Sequence, residues 1–306
     1  MVIDNIFPVS GLPFMKHILA AYSKIIPMPP PKTNLLHRFA RMMGWTKSSY
    51  VILGLFLLTV LVIVYVWYPL AEMVMSYVNW QADWWRYFDW LLVGIFLFMS
   101  LVIMAGADLR KDALIILVGA IGGLVIEAWG TQTYIWWYFT AQRPPLWIIP
   151  AWPIASLTID RMVRFLIKRS PAADGNWKQI YKFAYWVVFL VFTVMMFFFV
   201  WPTFLKSMTL MAIVLVTFLV LTPTDHRFAL LTFLAGAALG YFLEYWGTTR
   251  ECWTYYTLQK PPLFAILAHG MAAVAFWRSG QVLLILWNKA RRGWKRSQSL
   301  EQASSD

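Results

Sequence analysis

Charged residues are scarce in this chain of 306 residues: they make up 13% of it, whereas apolar residues make up 60%. Soluble globular domains are usually about 45–50% apolar and about 25% charged. Several apolar runs reach roughly 20 residues, the length that a helix needs to cross a hydrocarbon core about 30 Å thick. The composition therefore excludes an ordinary soluble bundle and predicts a polytopic membrane protein.

A single cysteine, Cys252, excludes an internal disulfide and a cysteine-rich metal site. The sequence also lacks H-E-x-x-H, P-loop and G-x-G-x-x-G motifs, and its four histidines are scattered. We therefore expect neither a metal nor a nucleotide cofactor. A net charge of +12 is typical of nucleic-acid-binding proteins, but here the basic residues flank the apolar runs, so no nucleic-acid partner is predicted.

The apolar runs predict an all-α bundle of about eight transmembrane helices, because strand alternation is absent and lipid admits only helices or closed barrels. The predicted spans cover residues 50–70, 89–106, 112–129, 145–166, 181–201, 204–222, 227–246 and 262–284. Lysine and arginine concentrate in the N-terminal arm, after the fourth span and in the C-terminal tail. With eight spans, these three segments lie on the same side of the membrane. The charge rule predicts that this side, with both termini, is cytoplasmic.

Two stretches of the chain repeat one another. The string "EAWGTQTYIWWYFTAQRPPL" begins at Glu127, and "EYWGTTRECWTYYTLQKPPL" begins at Glu244. Residues 108–161 align with residues 225–278 without a gap, and 22 of these 54 positions are identical. An even number of spans in each half makes the repeats parallel, so the sequence predicts two four-helix repeats related by an axis along the membrane normal.

The predicted organisation has five parts. A basic amphipathic arm covers residues 1–48, and the first four-helix repeat covers 49–167. A basic linker at 168–180 leads to the second repeat at 181–286, and a basic tail covers 287–306. The arm and the tail are expected at the cytoplasmic membrane surface, where their cations face anionic lipid.

Glu127 and Glu244 are the candidate acids. Each follows a G-x-x-x-G stretch by one helical turn, near the outer end of its predicted span. An ionisable side chain inside a span is costly and indicates function by default. A structural alternative stays open, in which the loop after each helix caps the carboxylate. The candidate caps are tryptophan N–H groups, the hydroxyls of Thr131 and Thr248, and the basic side chains of Arg143 and Lys260.

The two copies differ at His269, which stands where the first copy has Trp152. A histidine about two turns into the eighth span has either an acid/base role or a place in the core as a hydrogen-bonded residue. The aromatic and polar residues near each glutamate are candidate substrate contacts or members of an interfacial belt. They are Trp129, Trp136, Tyr138, Gln142, Arg143, Trp246, Trp253, Tyr255, Gln259 and Lys260.

Charged residues also recur at the predicted cytoplasmic end of the repeat. We expect a compact ion-pair network that closes the second to fourth helices of each copy, or alternatively a site for an anionic lipid headgroup. Its members in the two copies are Asp108, Arg110, Arg161, Asp225, Arg227 and Arg278.

The string "EAWGTQT", followed by Tyr138, Thr140 and "PPLWIIPAW", resembles the signature of the membrane carotenoid hydratases over about 30 residues of each copy. The resemblance implies acid-catalysed hydration of a carotenoid-like alkene, with Glu127 or Glu244 as the proton donor and aromatic faces beside the developing cation. It also implies a lipid or isoprenoid substrate and a bacterial inner membrane.

Two other functions stay open from the sequence. A pseudosymmetric transporter would use the glutamates as a proton or substrate site, and its third and seventh helices would be broken at mid-depth. A lipid-binding scaffold would need no chemistry, and its loops would cap both carboxylates completely. The oligomeric state also stays open.

Overall fold

The computed structural model describes residues 35–222 and 225–305 and is nearly all α-helical. The chain divides into two units, residues 1–44 and 45–306. In the first unit the described part contains helix α1, Leu35–Met42. Residues 1–34 of the predicted basic arm lie outside the described residues.

Helices follow one another along the second unit, with one short strand in each copy of the repeat. In chain order they are α2 (Lys47–Val66), α3 (Tyr68–Ser76), α4 (Trp90–Ile103), α5 (Leu109–Thr133), β1 (Trp136–Tyr138), α6 (Ala151–Arg169), α7 (Gly175–Val200), α8 (Ser207–Leu221), α9 (His226–Thr249), β2 (Trp253–Tyr255) and α10 (Leu263–Ser305). Helix α10 continues through the predicted tail, so the tail is helical at least as far as Ser305.

Five helices of the described chain are long and apolar enough to cross a membrane: Lys47–Val66, Leu109–Thr133, Gly175–Thr203, His226–Thr249 and Leu263–Arg292. The prediction of an all-α membrane protein is confirmed in this coarse form. Helices α4 and α8 are apolar but shorter, and α6 carries several charges. The count of eight spans and the two-repeat bundle therefore stay predictions.

The distribution of apolar side chains fits a lipid environment. Leu57, Leu58 and Leu61 of α2 are each more than half exposed, whereas Ile52 and Phe56 of the same helix pack into the core. A helix in water would not leave such a row of leucines uncovered, because burying each one is favourable by about 1.5–3 kcal/mol. These leucines therefore mark a face that lipid chains would cover.

Matching aspartates start the two long helices that carry the candidate acids. Asp108 accepts a hydrogen bond from the backbone N–H of Arg110 at 3.1 Å, and Asp225 accepts one from the N–H of Phe228 at 2.9 Å. An aspartate at this position satisfies a backbone donor that has no partner within the helix. The same cap therefore fixes where α5 and α9 begin.

Glycines let the two helices of each copy approach closely. A Cβ on Gly236 of α9 would lie 2.8 Å from the carbonyl oxygen of His269 and 2.9 Å from Cα of Gly270 in α10. In the first copy, a Cβ on Gly119 would lie 3.0 Å from Cα of Pro153. The G-x-x-x-G stretches thus let helix backbones come together, as small residues do in membrane proteins.

We expect Gly236→Ala to destabilise the protein by about 1–3 kcal/mol, because its methyl group would press on backbone that cannot move aside. Gly54→Ala is the matched control, since a Cβ there meets nothing within 4 Å. Thermal denaturation of both variants in one detergent provides the measurement. Equal midpoints would contradict the proposed close contact.

Candidate functional site

Glu127 lies near the C-terminal end of α5 and is only 3% exposed. Its Oε1 accepts hydrogen bonds from Tyr138 Oη at 2.9 Å and from Trp152 Nε1 at 3.1 Å. Its Oε2 accepts one from Trp136 Nε1 at 3.2 Å. Three donors around one carboxylate offset part of the cost of burying it, because a buried polar group is most costly when it lacks partners.

Glu244 has the same surroundings in the second copy and is also 3% exposed. Its Oε1 contacts Tyr255 Oη and His269 Nε2, both at 2.9 Å. Its Oε2 accepts a hydrogen bond from Trp253 Nε1 at 2.9 Å. The sequence repeat is therefore a repeat of one hydrogen-bond arrangement, in which glutamate, tryptophan and tyrosine keep their roles.

The two sites differ in the third hydrogen-bond partner of the carboxylate, which is Trp152 for Glu127 and His269 for Glu244. Trp152 offers an indole N–H, which only donates, whereas the imidazole of His269 donates, accepts and takes up a proton. The two rings lie stacked, with centroids 5.7 Å apart and planes 15° apart. The second site thus contains two groups that can exchange a proton, and the first contains one.

Strands β1 and β2 place the tryptophan and tyrosine donors. They pair antiparallel, with Trp136 opposite Tyr255 and Tyr138 opposite Trp253. Side chains alternate between the two faces of a strand, so Trp136 and Tyr138 are buried while Trp137 between them is exposed. Each segment that follows a glutamate helix is therefore a strand paired with the other copy.

Tyr138 and Tyr255 are fixed as donors. Burial, followed by the charge of Glu127, raises the pKa of Tyr138 well above its ordinary value, and burial with the charge of Glu244 does the same for the pKa of Tyr255. Both phenols therefore keep their protons and donate to the carboxylates at any physiological pH.

Of the three predicted kinds of cap, only the tryptophan N–H groups reach the carboxylates. The hydroxyl of Thr131 donates to the backbone carbonyl of Glu127 at 2.5 Å, and the hydroxyl of Thr248 donates to that of Glu244 at 2.6 Å. These threonines close the last turn of their helices and do not touch the acid groups.

The predicted basic caps are also directed elsewhere. Arg143 lies over the ring of Tyr134, 4.4 Å from its centroid. Lys260 pairs with Glu251 at 2.6 Å, and the hydrogen bond and charge of Lys260 lower the pKa of Glu251. Both basic residues therefore stabilise the loops around the sites rather than the carboxylates.

Four other predicted substrate contacts lie outside the two sites. Trp129 donates from Nε1 to Thr209 Oγ1 at 3.2 Å, and its ring packs edge-on against Trp136. Trp246 packs against Trp253 in the same way. The side chains of Gln142 and Gln259 are exposed. The tryptophans form a second aromatic layer, and the glutamines contact neither glutamate.

Asp89, which precedes α4 in the first copy, binds the C-terminal end of α9 in the second copy, and the sequence gives no signal for this contact. It accepts hydrogen bonds from Trp246 Nε1 at 2.8 Å and from Arg250 Nε at 3.0 Å, across 157 and 161 positions of sequence. Burial alone would raise the pKa of Asp89, but the bonds from Arg250, Leu92 and Trp246 outweigh it and lower the pKa. This stabilisation is present above the pKa of the unfolded state and is lost as the pH falls through the lowered value.

The predicted ion-pair network at the other end of the helices is wrong in its partners. Arg161 pairs with Asp112 at 2.6 Å and with Asp160 at 2.5 Å, not with Asp108. Asp112 is completely buried. Ala229 and Trp277 stand at the positions equivalent to the two aspartates, so this network belongs to the first copy alone.

At this end of the second copy, Arg227 and Arg278 donate to neutral groups. Arg227 donates from Nη2 to the carbonyl oxygens of Ile167 and Ser170, at 2.7 and 2.9 Å. Arg278 donates from Nη1 to Gln281 Oε1 at 3.0 Å. Arg227 thereby ties the start of α9 to the end of α6, which is a structural role.

In residues 35–222 and 225–305, no group of three or more His, Cys, Asp or Glu side chains is arranged to hold a metal ion. No family model, curated protein or solved structure matches this chain. The likeness to the carotenoid hydratases stays a prediction from a short motif.

We expect Tyr138→Phe and Tyr255→Phe each to lower stability by about 1–3 kcal/mol, because each removes a donor from a buried carboxylate. Tyr241→Phe is the control, since this tyrosine is exposed on α9 and makes ring contacts there. Thermal denaturation in detergent again provides the measurement. Three variants with the stability of the parent would show that the carboxylates do not depend on the phenols.

Proposed function

We propose that this chain is an integral membrane enzyme that protonates an alkene of an apolar lipid, with Glu244 and His269 as its acid pair. One observation carries the proposal: His269 Nε2 lies 2.9 Å from Glu244 Oε1 in a site whose twin has tryptophan at the same place. A carboxylate paired with imidazole is a common way to hold and deliver a proton.

The proposal includes the predicted architecture, an eight-span bundle of two parallel four-helix repeats with both termini in the cytoplasm. The matched surroundings of Glu127 and Glu244 and the antiparallel pairing of β1 with β2 support two-fold relatedness of the copies. A bacterial inner membrane is the proposed location, from the positions of lysine and arginine and from the resemblance to the carotenoid hydratases.

The proposed reaction is the hydration of a trisubstituted alkene. The proton held between Oε1 and Nε2 goes to the less substituted carbon, where the alkene electron pair forms the new C–H bond. The adjacent carbon becomes a tertiary cation, which the face of Trp152 would stabilise. Water adds through its oxygen and returns one proton to the Glu244–His269 pair, so the product is a tertiary alcohol and the pair is restored.

Glu244 and His269 differ in how much of each side chain is exposed. The side chain of His269 is 19% exposed and that of Glu244 is 5% exposed. A substrate would therefore approach on the side of the imidazole, while Glu244 lies behind it among the aromatic donors. Glu127, with three donors that hold their protons, is assigned a structural role.

A lipid-binding scaffold is the second candidate, favoured by the complete set of donors around each carboxylate. The transporter has less support. Helices α5 and α9 run unbroken through Leu109–Thr133 and His226–Thr249, whereas a transporter of this kind was expected to break them at mid-depth.

The test uses the purified protein, an acyclic carotenoid with a terminal trisubstituted alkene, and heavy-oxygen water. We expect a tertiary alcohol that carries the heavy oxygen, and a loss of rate of about 100-fold or more in Glu244→Gln and in His269→Trp. His269→Trp should fold, because the first copy holds tryptophan at the equivalent position. Mass spectrometry of the extracted lipids measures the product.

Glu127→Gln is the matched variant in the first copy, and we expect its turnover per folded protein to stay close to that of the parent. Full turnover in Glu244→Gln would overturn the assignment of the acid pair. Lipid that copurifies with every variant and is never converted would establish the scaffold instead.

A further inference from the structure

Between the two copies, away from the paired strands, lies a cavity of about 360 Å³. Its walls come from α5, α6, α9 and α10 and are mainly apolar, with Val118, Val163, Phe228, Ala273, Phe276 and Leu284 among them. Sites for small-molecule ligands usually have volumes of about 300–1,000 Å³ and apolar walls with few polar groups. The cavity has the size and the surface of such a site.

One end of the cavity is close to the candidate acid pair. Phe276 lines the cavity and packs edge-on against Trp152, with ring centroids 5.9 Å apart. Trp152 in turn stacks on His269. One indole ring therefore separates the cavity wall at Phe276 from the imidazole.

A buried side-chain oxygen on the cavity wall lacks a hydrogen-bond partner. Thr232 lines it and is 3% exposed, and its Oγ1 makes no hydrogen bond. Three other polar side chains on the wall are occupied: Ser156 donates to a backbone carbonyl, Asp160 accepts from two arginines, and Gln281 accepts from Arg278. A buried hydroxyl without a partner is costly, so an occupant of the cavity should supply one.

We propose that this cavity binds a neutral single-chain lipid alcohol, with its chain along the apolar walls and its hydroxyl on Thr232 Oγ1. Asp160 on the wall is already paired with Arg161 and Arg164, and no basic side chain is among the residues that line the cavity, so a fatty-acid carboxylate would lack a counter-charge there. Isoprenoid and straight-chain alcohols share the required chemistry. Binding in this cavity requires no reaction at Glu244, so this proposal is tested independently of the proposed enzyme activity.

Two substitutions test separately the hydrogen bond to Thr232 and the binding of the lipid chain in the cavity. Thr232→Val keeps the shape of the side chain and removes the hydroxyl. Gly280→Leu fills the cavity, because Gly280 lies on its wall and a Cβ there would meet only Leu114 Cδ2, at an ordinary distance of 3.8 Å. Both variants leave the two glutamate sites unaltered.

Native mass spectrometry of the full chain in detergent is the measurement, with farnesol, its hydrocarbon analogue farnesene, tetradecanol and palmitate as ligands. We expect Thr232→Val to bind farnesol roughly two- to tenfold more weakly and farnesene unchanged, as the loss of one hydrogen bond requires. Gly280→Leu should lose both ligands. Palmitate should bind more weakly than tetradecanol to the parent protein.

Farnesol binding that Gly280→Leu leaves intact would overturn the site, because the ligand would then lie elsewhere. Equal farnesol affinity in Thr232→Val and the parent would overturn the contact with the hydroxyl and leave a water molecule as its partner. Tighter binding of farnesol than of tetradecanol supports the proposal with an isoprenoid occupant, and the reverse order supports it with a straight-chain one.

Discussion

A carboxylate buried in an apolar helix bundle has to be surrounded by hydrogen-bond donors, and the part of this structure around Glu127 and Glu244 is arranged to supply them. An unpartnered charge in such a place would cost several kcal/mol. Each copy supplies its donors from a strand that folds back over the end of the glutamate helix and from the first turns of the next helix. The left-handed conformations at Tyr134 and Glu251, which end the helices and start the strands, recur at equivalent positions in the two copies.

The helices and the two acids could be predicted from the sequence, because long apolar runs and an ionisable residue inside them have few structural explanations. The strands could not. Each is three residues long, too short for an alternating pattern to stand out, and each finds its partner in the other copy. The contacts of Asp89 and the buried pair of Asp112 with Arg161 were missed for a related reason, since no repeat or spacing marks them.

The repeat in the sequence also concealed how unlike the two copies are. Shared residues such as Asp108 and Arg161 suggested one common ion-pair network, but the partners of Arg161 are residues that the second copy lacks. At the other end of the helices the shared residues do share their contacts, and a single position distinguishes the sites. Around the glutamates, the residues that are identical in the two copies make the same hydrogen bonds. The position at which the copies differ indicates a difference in their chemistry.

The pairing of β1 with β2 bears on how such a chain can arise. A protein with one copy of this repeat could form the same ribbon only by associating with a second identical chain, and every substitution would then appear on both sides. Joining the copies in one gene removes that constraint. One copy can then keep tryptophan beside its glutamate while the other copy acquires histidine. Duplication followed by fusion therefore permits two chemically different sites in a fold whose two copies remain alike.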